Sequence, residues 1–171
     1  RVRRARTGVA PWAVTLNPPT GRKRTRETRR PGTNARKTCQ VISLNELRVR
    51  LAAAGDPERA AGQQAYMKSS MPYHGIRSPE LRRLLRPVLA EFAPAGRTEW
   101  EATVREWWDG ATHREERYAA IALARHRAAR GWQDPKSLPL YRHLITTGAW
   151  WDFVDEIAAH LVGGVLAGHR T

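Results

Sequence analysis

From Ser43 onward apolar residues recur at three- and four-residue spacing and never alternate with period two, which restricts this part of the chain to packed helices. The pairs Asp56-Pro57, Ser78-Pro79 and Asp134-Pro135 punctuate the pattern as N-cap and first helical residue. A first helix is expected over Ser43–Ala54, with Leu44, Leu47 and Leu51 on one stripe and Gly55 closing it. A second runs from Asp56-Pro57 to Met67, and Met71-Pro72-Tyr73-His74-Gly75 forms a loop. The third follows Ser78-Pro79, and Pro87 inside it invites a kink. Thr98 and Glu101 have the spacing of a capping box and open a helix through Trp100, Val104, Trp107 and Trp108. The strongest helix signal runs over Arg114–Arg130, apolar almost all round between Tyr118 and Ala124. Another follows Asp134-Pro135 and stops at Gly148; the last spans Trp150–Leu166, with Gly163-Gly164 as a helix end. The expected fold class is all-α, with antiparallel helix pairs stacked as a solenoid. An ordinary helical bundle would give much the same pattern.

Residues 1–42 have a different texture: twelve Lys or Arg against the single acid Glu27, four prolines and few large apolar side chains. Eighteen basic and fifteen acidic residues remain for 43–171, so most of the net charge of +14 belongs to the extension. Such a stretch buries too little surface to offset chain entropy and is expected to be disordered. It would act as a basic arm adding non-specific phosphate contacts, or as an unstructured extension with no role. The expected division is therefore a basic extension over 1–42 and one helical domain over 43–171. The chain opens on Arg1 rather than Met, as a fragment or an ill-defined translation start would. Cys39 is the only cysteine, which excludes an internal disulfide and points to a reduced, cytoplasmic setting. No apolar run of about 18 residues is present, so no membrane span is expected.

The most informative stretch is Thr147-Gly148-Ala149-Trp150-Trp151-Asp152-Phe153-Val154-Asp155. Trp150, Phe153, Ile157 and Leu161 make one stripe suited to the core. Trp151 and Asp155, at i and i+4, share a different face, about 5.4 Å apart along the axis. An indole and a carboxylate side by side on a non-core face are unusual features to build for stability alone. The plainer alternative makes Asp152 the N-cap and Asp155 the third helical residue, favoured by the helix dipole, with Trp151 in the core. Lys68, Arg77, Arg114 and Arg117 are candidate phosphate contacts, and Tyr66 and Tyr73 candidate lining residues. Against this stand solvated surface for the cations and half-buried packing for the tyrosines. The histidines show no metal-ligand spacing, and His126, His143 and His160 fall on separate helices, so no metal site is expected.

Four collinear segments, Met67 to Ile76, Arg114-Glu115-Glu116-Arg117-Tyr118-Ala119, Leu138-Pro139-Leu140 and Gly148 to Asp155, resemble the AlkD-like DNA alkylation repair family. The similarity covers about residues 43–171. It implies a HEAT-like solenoid whose concave face binds the backbone of duplex DNA. It also implies cofactor-free cleavage of the N-glycosidic bond of cationic N3- and N7-alkylated purines, without flipping the base into a pocket. In that picture the protein is a monomer, Trp151 packs against the deoxyribose of the lesion, and Asp155 is the catalytic carboxylate. The resemblance also implies later helices that bring a further Trp and a phosphate-binding Arg. Residues 156–171 contain no Trp and only Arg170, so a C-terminally truncated solenoid is expected. The alternative function is a non-catalytic HEAT-like scaffold for DNA or a protein partner.

Overall fold

The first two helix starts are set by side chains that take up otherwise unpaired amide groups. Ser43 accepts from the Glu46 amide at 3.2 Å and opens α1 (Leu44–Ala54). Asp56 does the same for Arg59 at 3.0 Å and opens α2 (Pro57–Met67). These assignments come from a computed structural model, which describes residues 42–169. The expectations for residues 1–41, Cys39 included, fall outside the described residues.

The remaining helices are α3 (Ser78–Ala90), α4 (Arg97–Asp109), α5 (Arg114–Ala124), α6 (Leu138–Gly148), α7 (Trp151–Ile157) and α8 (Gly163–Gly168). Two 3-10 segments, Arg127–Trp132 and Pro135–Ser137, precede α6, and a π-turn over Ala158–Val162 joins α7 to α8. Among the described residues there is no strand, and the fold is all-α. No helix there is long and apolar enough to cross a membrane.

Four local expectations need correction. The capping box at Thr98 and Glu101 does not form, because α4 begins two residues earlier, with Gly96 as its N-cap, and Thr98 already lies within the first turn. The Ala95 amide donates instead to Glu99 at 2.6 Å. The helix predicted to run to Arg130 stops at Ala124, where the Gln133 side chain donates to the Ala124 carbonyl at 2.8 Å and replaces the next turn. Gly163-Gly164 is the first turn of α8 rather than a helix end. Ser78 is the first residue of α3 rather than its cap, and Arg77 stands at the N-cap without a side-chain bond. Helix α6 ends at Gly148 as expected, with Ala149 left-handed after it (φ 43°), and a Cβ on Gly148 would lie 2.8 Å from the Trp108 ring.

Trp100, Trp107, Trp108, Tyr141 and Phe153 form the bulk of the core, with Leu47, Leu51, Leu123 and Leu144 between them. Helix α4 packs along α5 and α6 along α7, while α5 also touches α1, α3 and α7. The central helix is thus α5, and Ala119, Ala120 and Ala124 let its neighbours approach closely.

Candidate active site

The first turn of α5 buries three charged residues in succession: Arg114, Glu115 and Glu116 are at most 2% exposed. Burial of charge is tolerated only where each group finds partners, and here each finds them on a different part of the chain. Glu115 accepts the backbone amides of His74 and Gly75, both at 2.9 Å, and of Ile76 at 3.1 Å. It thereby fixes a loop in which Gly75 is left-handed (φ 85°) and lies so close to α2 that a Cβ would sit 2.0 Å from the Asp56 carbonyl. Glu116 accepts from Arg48 on α1 (3.0 and 3.1 Å), from the Thr112 amide (2.8 Å) and from the His74 ring (3.2 Å). Burial alone would raise its pKa, but the bonds from His74, Arg48 and Thr112 prevail and hold it at about 2.

Arg114 points the other way, toward α7. Its guanidinium lies 4.1 Å from the Phe153 ring centre and 5.5 Å from that of Tyr73, donates to Ser69 Oγ at 3.2 Å, and pairs with Asp152 at 2.5 Å. The Tyr118 hydroxyl donates to the second oxygen of Asp152. Burial, reinforced by the Asp152 charge, pushes the Tyr118 phenol far above its ordinary value.

With Asp152 so engaged, the start of α7 differs from the capping alternative. Trp150 is the N-cap, no side chain caps the helix, and the first-turn acid is Asp152. Asp155 lies one turn further in, beyond the reach of the end dipole. Its carboxylate is exposed and has no hydrogen-bond or ion-pair partner among the described residues. Trp151 is 59% exposed rather than in the core, while Phe153, Ile157 and Leu161 are buried as the stripe required.

Beside α7 runs a groove. A concavity of about 340 Å³ bounded by α3, α5 and α7 includes Leu81, Arg82, Tyr118, Arg125, Asp152 and Glu156. A second, of about 210 Å³, shares Ser78, Leu81 and Tyr118 with it and reaches Tyr66 on α2. Tyr66 is 83% exposed at this rim, whereas Tyr73 is buried. Lys68 and Arg77 are exposed, at the left-handed cap of α2 and the N-cap of α3. Arg114 is instead buried, its guanidinium enclosed by aromatic rings and paired with Asp152. Arg117 is half-buried over the Trp108 ring at 4.8 Å, and burial together with the Arg114 charge lowers its pKa.

Sequence reasoning missed Arg82, exposed on the groove wall, and the pair Asp152 and Tyr118. It also missed the trio His74, His113 and Glu116, whose ligand-type atoms lie within 4.8 Å of one another. That trio does not suit a metal. The two rings stack at 3.8 Å and 13°, so their in-plane lone pairs cannot converge on one ion, and Glu116 is already engaged by Arg48 and Thr112.

A family model described as DNA alkylation repair enzyme matches residues 47–171, from within α1 to the C-terminus. No curated protein sequence matches the chain. Since that model spans well over half of the chain and includes both the buried turn of α5 and the exposed pair on α7, the protein belongs to the DNA alkylation repair enzyme family.

Proposed function

We propose that the chain carries the catalytic helix of a DNA glycosylase that hydrolyses the N-glycosidic bond of cationic N3- and N7-alkylated purines in duplex DNA. The observation that carries this reading is the state of α7. It presents an exposed indole and an exposed, unpartnered carboxylate one turn apart, while the neighbouring acid Asp152 is fully engaged. An alkylated purine already bears positive charge and leaves without a general acid. What must be supplied is stabilisation of the charge developing on the deoxyribose, and a placed water. Asp155 serves both needs, and the face of Trp151 packs against the cationic sugar. Such chemistry requires neither metal nor cofactor. With the base left in the duplex, a deep pocket is also unnecessary. Tyr66, Lys68, Arg77 and Arg117 contribute to the DNA-facing surface of a HEAT-like solenoid, acting as a cytoplasmic monomer.

The test is Asp155→Asn in the full-length protein, which keeps shape and removes charge. Single-turnover excision of 7-methylguanine from duplex DNA should fall by about 10²–10³-fold, with DNA affinity nearly unchanged, because the lost interaction belongs to the transition state. A variant that loses stability by about 0.5–2 kcal/mol but excises normally would return Asp155 to a structural role. A wild-type protein that binds alkylated duplex without excising would favour the scaffold alternative.

A further inference from the structure

Helix α7 is a short element between two irregularities. It has only seven α-helical residues, a left-handed Ala149 just before it and a π-turn just after it. Phe153 and Ile157, with Leu161 beyond them, bury one face of it, but apolar contacts carry little directionality, and successive residues differ by about 100° in direction. A roll of one residue would turn Asp152 and Glu156 outward in place of Trp151 and Asp155. A directional contact would hold the roll more closely than apolar packing alone.

We propose that Asp152 is a positioning residue: clamped by Arg114 and Tyr118, it sets the roll of α7 and so presents Trp151 and Asp155 to the substrate. The inference rests on the assignment of those two residues as the reacting pair. Both oxygens of Asp152 are held, one by Arg114 Nη2 at 2.5 Å and the other by the Tyr118 hydroxyl. The two donors are one turn apart on α5, so the clamp has two points on one face of the central helix. Arg114 is itself immobilised, by Ser69 Oγ at 3.2 Å, by its own amide bonded to the Pro72 carbonyl at 3.0 Å, and by the rings of Tyr73 and Phe153. Asp152 has no capping duty that would otherwise account for it. A buried ion pair adds little net stability over apolar side chains of similar size, so its value lies in the orientation it imposes. It also directs the Arg114 charge to Asp152, leaving Asp155 free for a cation.

Removing Asp152 would strand a buried guanidinium and risk unfolding, so Tyr118→Phe, which deletes only the hydroxyl, carries the test. In full-length protein labelled with 5-fluorotryptophan, the Trp151 resonance is assigned by its loss in Trp151→Phe. Tyr118→Phe should shift or broaden that resonance and leave those of Trp100 and Trp107 in place. Excision of 7-methylguanine should fall about tenfold or more at nearly constant DNA affinity, as expected for displaced reacting groups. Adding Tyr118→Phe to Asp155→Asn should slow excision by clearly less than the product of the two separate losses, because much of the hydroxyl's effect runs through Asp155 and only the part through Trp151 remains. An unmoved Trp151 resonance, or losses that simply multiply, would overturn the proposal. Should the wild-type protein excise nothing, the glycosylase reading fails while the fluorine spectrum still decides whether the clamp orients α7.

Discussion

Gly148 and Ala149 illustrate how neighbouring residues can carry opposite constraints. Gly148 keeps helical geometry and is small because Trp108 lies against it, whereas Ala149 adopts the left-handed conformation that glycine adopts without strain. Gly148→Ala should therefore destabilise the fold by about 1–3 kcal/mol through overpacking. Ala149→Gly should stabilise it, by up to about 1 kcal/mol, through relief of backbone strain. Denaturant melts of the two variants check both signs. Trp151 poses a different question. Being mostly exposed, it can be removed with little change in stability, within about 0.5 kcal/mol. Trp151→Ala should nevertheless weaken both lesion binding and excision, since the ring would contact the sugar in ground and transition states alike. Anisotropy titrations with lesion-containing duplex, set beside thermal melts, separate contact from packing.

At the scale of elements, the first turn of α5 governs the response to acid. Glu116 titrates at about 2 in the folded protein against 4.5 for an ordinary Glu. A depressed carboxylate contributes stability above its unfolded pKa and loses it as pH falls from about 4.5 to 2, a loss on the order of 3 kcal/mol. The His113 pKa is lowered by burial and by the neighbouring His74, so protonation of that ring also costs stability, beginning as pH falls through the ordinary histidine range. Glu116→Gln should flatten the steep acid limb below about pH 4.5, as read from melting temperatures across pH. This turn also marks the limit of what could be read from the sequence. The apolar stripes of α1, α4 and α7 were legible because burial imposes helical periodicity on residues a few positions apart. The buried charges were not, because Arg114, Glu115 and Glu116 look like ordinary surface until partners some 40 to 70 residues away are brought beside them. The over-long α5 has the same origin: Arg125 to Arg130 suits a helix locally, and the Gln133 side chain ends it from outside. Trp151 and Asp155 stood out because their spacing put both off the core stripe, whereas Asp152 between them read as a cap.

For the whole molecule, charge is distributed very unevenly along the sequence. Residues 1–42 carry twelve of the thirty Lys and Arg. Deleting them should flatten the salt dependence of duplex binding, by about 0.9 in logarithmic slope for each phosphate that the extension neutralises, while excision at saturating protein stays the same. An unchanged slope would exclude the extension from DNA binding. The buried turn of α5 has a consequence of another kind, for how the protein opens. Arg48–Glu116, His74–Glu115 and Arg114–Asp152 join segments 68, 41 and 38 residues apart through three consecutive side chains. No one of these segments can leave without exposing a charge that the others help to keep dry. Local fluctuations confined to the helix bearing Trp151 and Asp155 are thereby suppressed, and α1, the 72–76 loop and α7 should open as one cooperative unit. Native-state hydrogen exchange should accordingly report a single opening free energy for the slowest amides of all three.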